Sequence, residues 1–151
     1  MEKQEISLET ATTYILEECR MVLPGIQALF GFQLIAVFTE GFSRLSDGER
    51  LAHLASLLLV TVAIALIMTP AAYDRIVSES RVSRRFVALA SRLISIAMVP
   101  LMVGIALEIY IVSLTVVGDP RPAAGVALAT ALLFAALWFA LPWLRRMKSS
   151  A

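Results

Sequence analysis

The stretch LISIAMVPLMVGIALEIYIVSLTVV, residues 93–117, decides how this chain folds. It runs for 25 residues and contains a single charged side chain, Glu108. Roughly 20 consecutive apolar residues, at about 1.5 Å of helical rise each, cover the ~30 Å hydrocarbon core of a bilayer. Residues 93–117 therefore predict a transmembrane helix.

Three further windows share this character, and the composition of the chain agrees with them. They cover residues 21–43, 51–73 and 122–144, and their only charged side chain is Glu40. The 151 residues are 59% hydrophobic and 17% charged, with a mean hydropathy of +0.81. A single cysteine, Cys19, cannot form an internal disulfide. We therefore expect one integral membrane domain over residues 1–151, and not a soluble enzyme, a nucleic-acid binder or a disulfide-stapled secreted domain.

The connections between the windows predict how the helices are arranged. The connections 44–50 and 118–121 are short and rich in turn-forming residues, so each joins two antiparallel helices. Residues 6–20 carry apolar side chains at helical spacing and predict a short amphipathic helix, which ends at a bend before Pro24. The expected fold is all-α: an amphipathic N-terminal helix followed by a four-helix bundle of two transmembrane hairpins.

Positive charge is distributed unevenly along the chain, which predicts the topology. Ten of the 13 Lys and Arg residues lie in the N-terminal tail, the connection 74–92 and the C-terminal tail. By the positive-inside rule, both termini and the connection 74–92 are expected on the cytoplasmic side. Four arginines of this connection fall within an arc of about 100° on a helix, and they predict contacts with lipid headgroups or with a protein partner: Arg81, Arg84, Arg85 and Arg92.

Small residues recur at four-residue intervals in the last window. They are Ala123, Ala127, Ala131 and Ala135. In lipid, small side chains at this spacing let two helix backbones approach closely. The alanine line therefore predicts close packing, either within the bundle or between copies of the chain in a homo-oligomer.

Polar side chains inside the windows carry most of the functional information. Glu108 lies about eight residues, hence roughly 12 Å, below the outer end of its helix. An ionised carboxylate in hydrocarbon costs at least ~2.5 kcal/mol, so Glu108 is expected to be protonated, paired or hydrated. Gln33, Glu40 and His53 lie at similar depth or nearer the outer surface. These four side chains predict a polar ion pathway open to the outside, and the alternative is that they hold helices together through hydrogen bonds.

No catalytic motif, phosphate-binding glycine loop or metal-ligand cluster occurs in the sequence, so neither enzymatic activity nor a cofactor or metal is expected. Two functions remain. One is a pathway for protons or small cations, formed by an oligomer because four helices enclose little space. The other is a scaffold or accessory subunit that binds a membrane or cytoplasmic protein through the acidic N-terminal helix and the basic stripe.

Two segments of the chain resemble a known family. Residues 16–34, LEECRMVLPGIQALFGFQL, and residues 68–73, MTPAAY, are similar to a family of small four-helix bacterial membrane proteins classed as a domain of unknown function. The resemblance covers most of the chain from about residue 8. It implies four spans in a bacterial cytoplasmic membrane, but it implies no activity and no site residues.

Overall fold

A computed structural model describes residues 7–77 and 84–148 of the chain, all of which form helices or short connections between them. Five α-helices and a short helical turn follow one another, with a π-helical turn, Ala136–Ala140, between the last two. The elements are α1 (Leu8–Ala36), α2 (Glu40–Ser43), α3 (Asp47–Val77), α4 (Arg84–Val117), α5 (Pro120–Ala135) and α6 (Leu141–Lys148). Four helical segments are long and apolar enough to cross a membrane. The prediction of an all-α chain with four such segments is confirmed.

The N-terminal part differs from the expected separate amphipathic helix. A single helix, α1, runs from Leu8 to Ala36 and contains Pro24. Ser7 begins it as an N-cap whose hydroxyl accepts a hydrogen bond from the backbone N–H of Thr10. Pro24 removes one backbone N–H from the helical ladder, but the helix continues on both sides because the other hydrogen bonds remain. Residues 8–20 therefore continue directly into the first apolar window, while Ile6 of the predicted helix lies outside the described residues.

The C-terminal end of α1 also differs from the predicted window 21–43, because the helix stops at Ala36. The hydroxyl of Thr39 donates to the carbonyl of Ala36 at 2.7 Å and accepts from the backbone N–H of Phe42 at 3.4 Å. Thr39 is thereby the N-cap of the short helix α2. This local capping replaces the continuation of α1. Residues 37–43 consequently do not continue α1, because the backbone at Thr39 is extended.

The core lies between α1, α3 and α4, whose buried side chains recur at intervals of three, four or seven residues. On α3 these are His53, Ser56, Val60, Ala63, Ile67 and Pro70. On α4, Ala90, Ala97, Gly104 and Ile111 follow one another at intervals of seven. On α1 the same interval separates Cys19, Ile26 and Gln33. A seven-residue repeat is typical of helices that cross at a shallow angle with left-handed supercoiling.

This three-helix seam is apolar over one half and polar over the other. The apolar half is a cluster of Cys19, Ile26, Val60, Ala63, Ile67, Ala97 and Leu101. Beyond it, toward the connection between α1 and α3, the buried positions of these two helices are taken by polar side chains, described below. The buried polar side chains, and with them the candidate functional site, therefore lie in one half of the seam.

The last apolar segment packs on the outside of this seam, against α4. Asp119 caps α5 by accepting a hydrogen bond from the backbone N–H of Arg121 at 2.8 Å, and Pro120 occupies the first turn. Ala123 is fully buried, while Ala127, Ala131 and Ala135 are half-buried. The alanine line is thus the less exposed side of α5, as expected for packing within the bundle. Its use between copies of the chain stays a prediction.

Candidate functional site

Three helices bring four polar side chains together in the polar half of the seam. Gln33 comes from α1, His53 and Ser56 from α3, and Glu108 from α4. Gln33, His53 and Ser56 are 2%, 4% and 0% exposed, and the side chain of Glu108 is 18% exposed. Buried polar groups are stable in such a place only when they are hydrogen-bonded to one another. We call these four residues the polar cluster.

His53 connects α3 to both other helices through its two ring nitrogens. Its Nε2 lies 3.0 Å from the backbone carbonyl oxygen of Gln33, and its Nδ1 lies 3.2 Å from Glu108 Oε1. A carbonyl oxygen can only accept, so Nε2 must carry a hydrogen and donate it. The backbone of α1 therefore selects the tautomer of His53.

This tautomer fixes the number of protons that the His53–Glu108 pair holds. The contact between Nδ1 and Oε1 needs one proton, which lies either on the carboxyl of Glu108 or on His53 Nδ1. In the first case both side chains are neutral; in the second, an imidazolium donates to a carboxylate. The pair as a whole is neutral in either arrangement. A neutral pair avoids the free-energy cost of an isolated charge in hydrocarbon.

The remaining members of the polar cluster tie α1 and α4 to α3. The amide nitrogen Nε2 of Gln33 donates to Ser56 Oγ at 2.7 Å and to Glu108 Oε2 at 3.3 Å. Ser56 Oγ in turn donates to the backbone carbonyl of Gly104 at 2.8 Å. The amide oxygen of Gln33 is buried and has no hydrogen-bond partner among the described residues. Within the described part of the chain, this amide oxygen is therefore a free hydrogen-bond acceptor beside the His53–Glu108 pair.

A cavity of about 230 Å³ reaches His53 and Glu108 from the end of the bundle where α1 is connected to α3. Its walls come from the segment between α1 and α3 and from the last turns of α4, and they are mostly apolar. The ring of Phe42 borders the cavity and packs edge-on against His53, with ring centroids 5.3 Å apart. His53 and Glu108 are the ionisable side chains that line it. The cavity connects the pair to the surface at this end of the bundle.

The structure unites three of the four residues predicted for an ion pathway, namely Gln33, His53 and Glu108. Glu40 lies apart from them: its side chain is 96% exposed and pairs with Arg44 at 4.0 Å. Glu40 therefore does not join the other three residues predicted for the pathway, because α1 ends at Ala36 and does not continue to position 40. Sequence reasoning missed Ser56, although its spacing of three from His53 places both on one helical face.

The basic stripe lies only partly within the described residues. Arg81 falls outside them, whereas Arg84, Arg85 and Arg92 are exposed on the first turns of α4. Within residues 7–77 and 84–148, none of these three forms an ion pair with Glu17 or Glu18. Their contacts with lipid or with a partner protein stay predictions. The described residues contain no group of three or more His, Cys, Asp or Glu side chains that could hold a metal ion.

We predict that nitrogen-15 NMR of His53 shows a hydrogen on Nε2. His53 is the single histidine of the chain, so histidine-selective labelling reports on this ring alone. In Glu108→Gln the new amide can donate to Nδ1, and the ring should therefore stay neutral with its hydrogen on Nε2. Multiple-bond nitrogen–proton correlation spectra distinguish the tautomers. A ring with hydrogen on Nδ1 and a bare Nε2 would contradict the hydrogen bond to the Gln33 carbonyl.

Comparison with known proteins identifies the family but not the activity. A model described as "Family of unknown function (DUF6328)" matches residues 2–142, and the chain belongs to this family. Neither the curated proteins nor the solved structures include a significant match to the chain.

Proposed function

We propose that this member of the DUF6328 family is a multi-pass protein of the bacterial cytoplasmic membrane that conducts protons or small cations. In this proposal the bundle is two transmembrane hairpins with both termini in the cytoplasm, and the chain acts without catalysing a reaction. The His53–Glu108 pair is the binding site, and it exchanges with the outer side through the cavity beside Phe42. The observation that carries the proposal is the 3.2 Å contact between His53 Nδ1 and Glu108 Oε1, which joins two helices that are long and apolar enough to cross a membrane.

The chemistry of the pair suits reversible proton binding. Moving the proton between Glu108 and His53 Nδ1 leaves the hydrogen bond in place, so the cluster can redistribute charge without losing contacts. A cation that enters the cavity can pair with the Glu108 carboxylate when the proton departs. The buried amide oxygen of Gln33 supplies a further acceptor nearby. Proton release and cation binding would then compete for one carboxylate.

The apolar half of the seam acts as the closed side of the pathway. Ile26, Val60 and Leu101 fill the space below the polar cluster, and they offer no polar group to an ion. Conduction therefore requires these helices to separate, or requires a path between copies of the chain. We include homo-oligomer formation in the proposal for this reason, with the outer faces of the bundle as the contact surfaces.

The test is ion flux in proteoliposomes containing the full chain. Wild-type protein should dissipate an imposed pH gradient, measured with a trapped pH-sensitive dye while valinomycin and potassium clamp the membrane potential. Glu108→Gln should reduce the rate to that of empty liposomes because it keeps the shape of the side chain and removes its titration. Glu40→Gln is the matched control, since it makes the same change on an exposed outer side chain, and it should conduct like wild type.

Sodium and potassium gradients extend the same test to cations. Flux above empty liposomes that depends on Glu108 supports the proposal for the ion concerned. The proposal would be contradicted if, for every ion tested, wild type and both variants gave the same flux as empty liposomes.

A second candidate function is supported by the hydrogen bonds that the polar cluster makes between helices. Its hydrogen bonds connect α1, α3 and α4 to one another, which is what a rigid scaffold or accessory subunit requires. In that case the chain serves a membrane or cytoplasmic protein partner. Affinity of the purified chain for such a partner, unchanged in Glu108→Gln, would favour this function over conduction.

A further inference from the structure

A second cleft, at the opposite end of the bundle from the polar cluster, combines positive charge with an apolar wall. It lies between the first half of α1 and the last turns of α3 and has a volume of about 380 Å³. Arg20 of α1 and Arg75 of α3 both line it. Neither arginine belongs to the stripe predicted from the sequence.

The two guanidinium groups are exposed and available for a ligand. Among the described residues, neither Arg20 nor Arg75 has a hydrogen-bond or ion-pair partner. Asp74 also lines the cleft but is engaged in an interaction of its own, so the two arginines supply the positive charge that an anion would meet. Guanidinium groups bind phosphate oxygens particularly well because their N–H donors form a planar fork.

The position of the cleft along the helices corresponds to the edge of the hydrocarbon. Glu108 lies about 12 Å below the outer end of its helix, and Gln33 and His53 contact it at that depth. Arg20 lies 13 residues, or about 20 Å, farther along α1 from Gln33, hence about 32 Å from the outer end and at the edge of the ~30 Å hydrocarbon core. Arg75 lies 22 residues, or about 33 Å, from His53 along α3 and therefore beyond this edge. Helical side chains lean toward the N-terminus of their helix, so Arg75 leans back toward the bilayer and Arg20 leans away from it. Both side chains therefore reach the layer of lipid headgroups.

The rest of the cleft is apolar and suits a lipid chain. Leu16, Leu23, Met68 and Ala71 form its walls together with the buried Cys19. A water-soluble anion gains nothing from such walls, whereas an acyl chain packs against them. The combination of positive charge and apolar walls therefore suits a ligand that has both an anionic group and an apolar chain.

We propose that this cleft binds one anionic phospholipid, with its phosphodiester between Arg20 and Arg75 and the start of an acyl chain against Leu23 and Met68. Phosphatidylglycerol is the representative ligand because its headgroup carries one negative charge and no positive charge. Its hydroxyl groups can donate to acceptors at the rim of the cleft. The site is independent of the proposed conduction pathway, since it shares no residue with the polar cluster.

The test is a lipid titration of the purified full chain in detergent, followed by native mass spectrometry. Three probes separate the contributions: phosphatidylglycerol has phosphate and chains, diacylglycerol has only chains, and glycerol 3-phosphate has only phosphate. The variants are Arg20→Gln and Arg75→Gln, and Arg84→Gln is the matched control because its arginine is exposed outside the cleft. Thermal unfolding of each variant verifies that these surface changes leave the fold intact.

We expect one tightly bound phosphatidylglycerol per chain and no comparable binding of the other two probes. Each cleft substitution should weaken binding about tenfold, as expected for loss of one charged hydrogen bond, while Arg84→Gln should leave the affinity unchanged. Equal binding of diacylglycerol would show an apolar groove only, and equal binding of glycerol 3-phosphate would show a soluble phosphate ligand. Either result, or an affinity that the cleft substitutions leave unchanged, overturns the proposal. If one variant fails to fold, the substitution of the other arginine and the comparison of the three probes on wild-type protein still test the proposal.

Discussion

Replacement of Gly104 by leucine should prevent α3 and α4 from packing together. A Cβ atom at Gly104 would lie 3.1 Å from Val60 Cγ2 and 3.3 Å from the carbonyl oxygen of Ser56. The neighbours on α3 must then move apart from α4, and the hydrogen bond from Ser56 to the Gly104 carbonyl is lost with them. We expect a free energy of unfolding lower by about 3 kcal/mol, at the upper end for overpacked cores. Thermal unfolding in detergent measures the effect.

A graded series separates this steric effect from a general intolerance of leucine. Gly104→Ala requires only a few tenths of an ångström of movement and should have a much smaller effect than Gly104→Leu. Gly125→Leu is the matched control, because a Cβ atom at Gly125 meets no atom within 4 Å. Equal melting temperatures for Gly104→Leu and Gly125→Leu would show that α3 and α4 do not approach as closely as the structure has them.

The apolar segments could be predicted from sequence because membrane insertion depends on summed hydropathy over about 20 residues. The limits of the helices could not be predicted as well, since they depend on single hydrogen bonds. At Thr39 the hydroxyl could continue a helix by bonding to a carbonyl one turn back, or it could cap a new one. In the structure the hydroxyl makes both contacts, but the backbone at Thr39 is extended, so α1 has ended and Thr39 caps α2. The separation of Glu40 from Gln33 follows from this local conformation.

The polar cluster could be predicted in part. Glu108 and Gln33 are conspicuous because polar side chains are costly at that depth, whereas Ser56 is not, since a serine in a membrane helix can satisfy itself locally. Thr61 and Thr69 do so on the same helix, each donating to a carbonyl four residues back at 2.8 Å. Ser56 instead donates to α4 at Gly104. Which partner the hydroxyl takes depends on how α3 packs against α4. The sequence of α3 alone does not predict this packing.

Coupling between His53 and Glu108 should appear as strong non-additivity of stability. Glu108→Leu leaves His53 Nδ1 buried without a partner, and His53→Leu leaves the proton of Glu108 and the carbonyl of Gln33 without theirs. We expect each single substitution to lower the free energy of unfolding by about 1–3 kcal/mol, the cost of an unsatisfied buried polar group. The double substitution removes both groups and should cost less than the sum. We expect a coupling of at least about 1 kcal/mol.

A double-mutant cycle of His53 with Glu40 in place of Glu108 is the control for residues that do not interact. Glu40 is exposed and has no contact with His53 within the described residues, so Glu40→Leu and His53→Leu should add to within about 0.5 kcal/mol. Reversible unfolding in mixed micelles supplies the free energies for both cycles. If the His53–Glu108 cycle were equally additive, the two side chains would not share a proton, and the pair could not be the site of reversible proton binding. If the His53–Glu108 cycle is coupled while the His53–Glu40 cycle is additive, the shared proton helps to hold α3 against α4. Loss of this proton would then weaken the contact between the two helices.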